Sequence, residues 1–226
     1  MPESGFKHKD SPEKCMERLR AGNLRFSRGE SFYPNLTPER VREAGISDQS
    51  EHAFATVLSC SDSRVPVEIL FDVGIMDIFV IRVAGNVCSC DTLASVEFGL
   101  SYVNTPALLV LGHTKCGAVS AVTRIMQGRS RIKEQHIPGL LEYIQPAVNQ
   151  VMETHPELID DEVILPAIEK NVCHSLKELY ENSMVVRRLL ELGYIKLAGA
   201  VYDLQSGLIR WLPEDQINNI IASCKK

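Results

Sequence analysis

The stretch Pro106–Gly112 (PALLVLG), running directly into His113-Thr-Lys-Cys116-Gly117, decides the fold. It is short, largely apolar and rich in β-formers, as expected of a strand buried on both faces of a parallel sheet. Ala53–Ser59 (AFATVLS) and Asp77–Val83 (DIFVIRV) have the same character. Between the second and third runs, Asp91–Val103 reads as a helix. Gly117–Met126 reads as another after the third, and longer helices are predicted over Ile137–Thr154 and Glu162–Glu181. Strands that alternate with helices predict an α/β fold with a mainly parallel sheet.

Working outward, Ser11-Pro12-Glu13 opens a helix whose apolar positions are Cys15, Met16, Leu19, Leu24 and Phe26, with Ser11 as N-cap and Pro12 at the first helical position. Thr37-Pro38-Glu39 repeats that start signal before a short helix ending near Gly45, and Ser47–Glu51 reads as a loop. Towards the other end, Tyr194–Tyr202 (YIKLAGAVY) and Gly207–Leu212 (GLIRWL) flank a polar turn, so the sheet is predicted to finish in an antiparallel edge hairpin. With no internal repeat and no dividing linker, residues 1–226 are predicted to form one domain. Within it, residues 1–50 make an N-terminal helical arm and residues 51–226 an α/β core with flanking helices.

The composition, 45% apolar and 23% charged in 226 residues, is that of an ordinary globular chain with one sizeable core. A net charge of −5 gives no reason to expect nucleic acid or an anionic membrane as partner. No apolar run approaches the ~20 residues that a helix needs to cross a bilayer. Met1–Asp10 has no stretch resembling a signal peptide, which predicts a cytoplasmic protein. Seven cysteines, an odd count, then read as reduced thiols rather than a disulfide framework. Cys15, Cys173 and Cys224 read as core hydrophobes, and Cys88 and Cys90 as structural. His52, His136, His155 and His174 have no partners in the sequence and read as surface or core residues.

The chemistry stands at strand ends. Cys60-Ser-Asp62-Ser-Arg64 follows the first strand and His113-Thr-Lys-Cys116 the third, and open parallel sheets place ligand sites at the carboxyl ends of their strands. If these segments meet, two thiolates and an imidazole surround one point. That donor set suits zinc, with Zn–S near ~2.3 Å and Zn–N near ~2.0–2.1 Å, and leaves a fourth position where bound water has its pKa lowered toward ~7. Asp62 and Arg64, two apart, can share a face and pair. So paired, Asp62 orients the metal-bound water; unpaired, it swings onto the metal as fourth ligand and closes the site. A lone D-x-R is ordinarily a structural salt bridge, and a lone H-x-x-C a satisfied core pair. Joined to Cys60, both change meaning.

Cys60-Ser-Asp-Ser-Arg-Val65, Arg82-Val-Ala-Gly-Asn86 and Gly112-His-Thr-Lys-Cys-Gly117, in this order, resemble the signature set of the β-carbonic anhydrases. The resemblance extends to Gly22-Asn23-x-Arg25-Phe26 and to Gly199-Ala-x-Tyr202-Asp203 through Gly207, and so covers nearly the whole chain. It implies a four-stranded parallel core with a further edge strand, an N-terminal helix reaching across to a partner subunit, and self-association as a dimer or tetramer. It also implies one zinc ion per subunit on Cys60, His113 and Cys116, an orienting Asp62–Arg64 dyad, and a carbon dioxide pocket at the subunit interface lined by Val65, Phe79, Phe98 and Gly117.

One departure stands out. Where the family commonly has Gln-x-Pro, this chain has Glu51-His-Ala53, which replaces an amide donor to bound substrate with an acceptor. Two unit charges ~4 Å apart at an effective dielectric of ~20 interact by ~4 kcal/mol, so an ionised Glu51 near the metal would repel bicarbonate. Gln49 lies close enough to substitute if the loop is rearranged, and Phe98, a tyrosine in some members, merely removes a hydroxyl. The implied activity is reversible hydration of carbon dioxide by zinc-bound hydroxide. Two alternatives stand beside it: hydrolysis of carbonyl sulfide or carbon disulfide on the same scaffold, and a noncatalytic zinc- or bicarbonate-binding protein.

Overall fold

The computed structural model describes residues 10–225; the Met1–Asp10 stretch behind the leader reading lies outside them, apart from Asp10. The three apolar runs become β1 (Ala55–Ser59), β2 (Ile78–Arg82) and β3 (Ala107–His113), each within two residues of its predicted bounds. The C-terminal hairpin is β4 (Lys196–Tyr202) and β5 (Ile209–Trp211). All five form one sheet in the order β2-β1-β3-β4-β5, parallel except for the β4–β5 pair. Ser59 pairs with Leu111 and Leu111 with Ala200, so the chain leaves β1, β3 and β4 at a common carboxyl edge.

The helices are α1 (Pro12–Ser27), α2 (Pro38–Ala44), α3 (Val67–Leu70), α4 (Cys90–Ser101), α5 (Gly117–Met126), α6 (Ile137–Leu141), α7 (Gln145–Thr154), α8 (Ile164–Asn182), α9 (Met184–Glu191) and α10 (Glu214–Cys224). Ser11 and Thr37 cap α1 and α2 as predicted, accepting the N–H groups of Lys14 and Arg40. The single helix expected over Ile137–Thr154 is two. Pro146 has no N–H to give to a preceding turn and its ring opposes the carbonyl four residues back, so the chain restarts there as α7. The helix expected from Glu162 begins at Ile164, after a 3-10 turn over Asp160–Val163.

β3 is buried along its whole length, and its alternation feeds two layers. Leu108 and Val110 join Val96, Ile144, Ile168, Val172 and Leu176 on the face covered by α4, α5, α7 and α8. Leu109 and Leu111 join Cys15, Leu19, Leu70 and Phe71 on the face covered by α1 and α3. Helix α1 lies on its own sheet, with Cys15 and Leu19 fully buried, while Leu24 is exposed. The Asn23 amide fixes it there, its Nδ2 donating to Leu70 O (3.3 Å) and Gly207 O (3.0 Å) and its Oδ1 accepting from the Ile209 N–H (2.8 Å). Further exposed apolar side chains, Phe32, Tyr33, Leu36, Val41 and Ile46, follow in the segment after α1.

Asp72 ties that segment down. Its buried carboxylate accepts from Arg25 Nε (2.6 Å) and from the N–H groups of Phe32 and Tyr33, and these hold its carboxyl below the usual range against its burial. Asp72→Ala strands Arg25 and two backbone donors together, so a loss of about 3 kcal/mol is expected. Urea denaturation measures it, and a change under about 0.5 kcal/mol, typical of an ordinary surface site, would count against this role for Asp72.

Candidate metal centre

At the carboxyl edge of the sheet the loops after β1 and β3 converge. Cys60, His113 and Cys116 are all buried, and their ligand atoms lie within 4.8 Å of one another. No other such cluster of three or more His, Cys, Asp or Glu occurs among the described residues. His113 Nδ1 is 3.0 Å from Thr114 O, and since a carbonyl only accepts, Nδ1 carries the proton. Nε2 is thus left with its lone pair, buried and without a hydrogen-bond partner beside two sulfurs. An orphaned buried nitrogen is costly, and a metal ion would satisfy it. Two sulfurs and one imidazole nitrogen are a donor set that fits zinc.

The two sulfurs are electrostatically linked. The hydrogen bond from Cys116 drives the Cys60 thiol towards thiolate, against its burial and with help from the backbone N–H groups of Gly85 and Asp62. Cys116 is correspondingly held in the thiol form by its bond to Cys60, by burial and by the Cys60 charge. A divalent cation in this place would stabilise both sulfurs as thiolates.

Asp62 stands outside the three-ligand cluster, its Oδ2 3.9 Å from His113 Nε2. Arg64 grips it with Nε to Oδ1 (2.9 Å), Nη2 to Oδ2 (2.6 Å) and its own backbone N–H to Oδ1 (3.0 Å). The Arg64 hydrogen bonds hold the Asp62 carboxyl far below the usual carboxylate range.

Several residues around this centre were given no role from sequence. Arg82 donates to Cys60 O (3.1 Å) and Asp62 O (2.7 Å) and so shapes the loop that carries both. Gly85 N–H donates to Cys60 Sγ (3.3 Å). Thr114 presents His113 with its carbonyl, while its hydroxyl donates to Asp203 Oδ1 (3.3 Å) and accepts from the Leu204 N–H (3.0 Å), joining the β3 loop to the C-terminal hairpin. An arginine at the end of β2 and a glycine three residues further on were the available signal for the first two.

The residues expected to line the pocket are divided by the sheet. Val65 is buried, and Gly117 follows Cys116 with open space around its Cα; both belong to the carboxyl edge. Phe79 pairs in register with Thr56 near the start of β1, and at a rise of ~3.3 Å per residue Cys60 lies ~13 Å further along. Phe98 stands 6.0 Å from Phe79, half-exposed and stacked on Tyr102. Glu51 and Gln49 are exposed in a 3-10 turn ahead of β1. The chain does not bring these distant residues to its own metal centre.

Cys15 and Cys173 are buried as predicted and Cys224 partly so. Cys88 is also buried, its thiol pushed up to about 12 chiefly by burial, whereas Cys90 is exposed at the start of α4 rather than packed. His52 sits beside Arg40 and Glu43 of α2. His136 is exposed, and His155 and His174 lie near Glu157 and Glu178. Among the described residues no helix is long and apolar enough to cross a membrane.

A mainly parallel α/β sheet with a buried Cys–His–Cys triad at its carboxyl edge and a carboxylate–guanidinium pair beside it defines a class of α/β protein whose side chains suit a metal ion. The model of the carbonic anhydrase family matches residues 55–209, and the chain belongs to that family, in its β class. Carbonic anhydrase 2 of Mycobacterium tuberculosis is 29% identical over 215 residues, covering 93% of this chain and 96% of that protein. A carbonic anhydrase of Mycolicibacterium smegmatis is 29% identical over 199 residues, covering 88% and 92%. Among solved structures, a β-carbonic anhydrase of Aspergillus fumigatus matches the fold with a TM-score of 0.68 at 24% identity, covering 95% of this chain and 98% of that one.

Proposed function

We propose that the chain catalyses the reversible hydration of carbon dioxide to bicarbonate and a proton, with one zinc ion per subunit held by Cys60, His113 and Cys116. The observation that carries this reading is the convergence of two sulfurs and an unpartnered imidazole nitrogen beside a carboxylate that is kept ionised. Zinc held there supplies a Lewis acid that lowers the pKa of a coordinated water toward ~7. Asp62 offers the acceptor that orients the attacking group. Arg64, with two side-chain nitrogens engaged, keeps Asp62 turned from the metal. Val65 and Gly117 form the near wall of the substrate pocket.

Glu51, Phe79 and Phe98 stand too far along the sheet to serve their own centre. We assign them to the pocket of a second copy, so that assembly as a dimer or tetramer is part of the activity. Solved β-carbonic anhydrases of Sordaria macrospora are described as tetrameric, which supports self-association. A cytoplasmic location suits seven free cysteines, since Cys60 and Cys116 bind metal only when reduced.

Stopped-flow hydration of carbon dioxide by zinc-loaded protein tests the proposal, with carbonyl sulfide and carbon disulfide assayed alongside. Full zinc content without hydration would reject it. In the same assay Glu51→Gln is expected to raise kcat/KM about threefold to tenfold, since it restores an amide donor and removes a charge that opposes bicarbonate, a change of ~0.7–1.4 kcal/mol. An unchanged or lower value would remove Glu51 from the pocket.

A further inference from the structure

Helix α8 carries two polar side chains on the face it turns to the sheet, Asn171 and Ser175, which are 1% and 2% exposed. Four residues apart, they lie one above the other on a single helix face. They grip two consecutive carbonyls: Asn171 Nδ2 donates to Gly85 O (2.8 Å) and Ser175 Oγ donates to Asn86 O (3.0 Å). Gly85 and Asn86 are both left-handed, with φ of 75° and 47°, a pairing that the backbone does not favour unaided. Held this way, the turn aims the Gly85 N–H at Cys60 Sγ.

We propose that Asn171, with Ser175 beside it, is a positioning residue for the metal centre: it fixes the Gly85–Asn86 turn so that the Gly85 N–H stays on the Cys60 sulfur, and thereby sets how strongly that sulfur binds zinc. The proposal rests on the reading of Cys60 as a zinc ligand. A hydrogen bond to a metal-bound thiolate orients the sulfur and withdraws part of its charge, and the loss of such outer partners typically weakens metal binding 10–100-fold. Gly85 links the two ends of the strut, since its carbonyl is held from α8 and its own N–H meets the sulfur. The spacing of Asn171 and Ser175 matches two successive carbonyls, which a helix packed there only for burial does not need.

The test compares wild type, Asn171→Ala and Leu176→Ala by chelator competition for zinc and by the thiolate-to-cobalt charge-transfer band of the cobalt-substituted proteins. Asn171→Ala is expected to weaken zinc binding about tenfold or more and to shift the band. Leu176→Ala opens a cavity in the same α8–sheet interface without touching the turn, so it lowers Tm while zinc affinity stays within about twofold and the band does not move. Should Asn171→Ala not fold, Asn171→Leu, of similar shape but with no donor, is read in the same way. A wild-type affinity with an unmoved band in the Asn171 variant, or equal weakening in Leu176→Ala, would overturn the proposal while leaving the zinc reading intact. A wild-type protein that binds no zinc would overturn both.

Discussion

Cys60→Ala is expected to remove zinc and hydration together while leaving the chain folded. Cys60 is one of three protein ligands and the sulfur driven towards thiolate. Binding at sites of this type draws on apparent free energies of about 10–16 kcal/mol spread over the ligands. Loss of one of three therefore costs several kcal/mol, or an affinity drop of about a thousandfold or more, since 1.4 kcal/mol is a factor of ten. Metal analysis after dialysis should find the variant nearly free of zinc, with hydration at the buffer rate. Cys60 is a small side chain at the end of the sheet, so the secondary structure should survive. A variant with full zinc and wild-type hydration would remove Cys60 from the centre, and with it the proposed chemistry.

The second large effect concerns Gly22. A methyl group added to it in α1 would fall 1.8 Å from Phe71 O and 2.6 Å from Phe71 C, both backbone atoms of a fully buried residue. No side chain can swing aside to make room. Gly22→Ala must lift α1 from the sheet, loosening the packing of Cys15 and Leu19 and the three Asn23 hydrogen bonds that join α1 to Leu70, Gly207 and Ile209. A loss of about 3 kcal/mol or more is expected, at the upper end for overpacking. Urea titration with hydrogen exchange along α1 reads it. Gly139→Ala in α6, where nothing lies within 4 Å of the added carbon, is the matched control and should be close to neutral. If the two variants are equally stable, α1 is not docked through Gly22.

What could be read from sequence followed from strength of pattern. The apolar runs of β1 and β3 allowed little but buried strands, and Cys60 and His113 stood at their ends, so the convergence of the triad could be anticipated before any register was known. Helix starts marked by Ser-Pro and Thr-Pro were legible from capping chemistry. Helix α9 was not: the helix read over Glu162–Glu181 stops with α8, and only eight residues, capped by Ser183, make up its successor. Phe79 shows a different limit: its distance from Cys60 follows from which end of β2 it occupies and from the parallel register with β1, neither of which residue types disclose. The hold of Asn171 on Gly85 joins segments far apart in the chain, where no local signal exists.

Cys60 and His113 leave different strands, and they stand together only because β1 pairs with β3 in one register across a long crossover. A nascent polypeptide therefore has only the local His113–Cys116 pair to offer an ion until that non-local pairing, among the slower steps of assembly, has formed. On the proposed zinc reading, capture at the complete three-residue site is accordingly a late event in maturation.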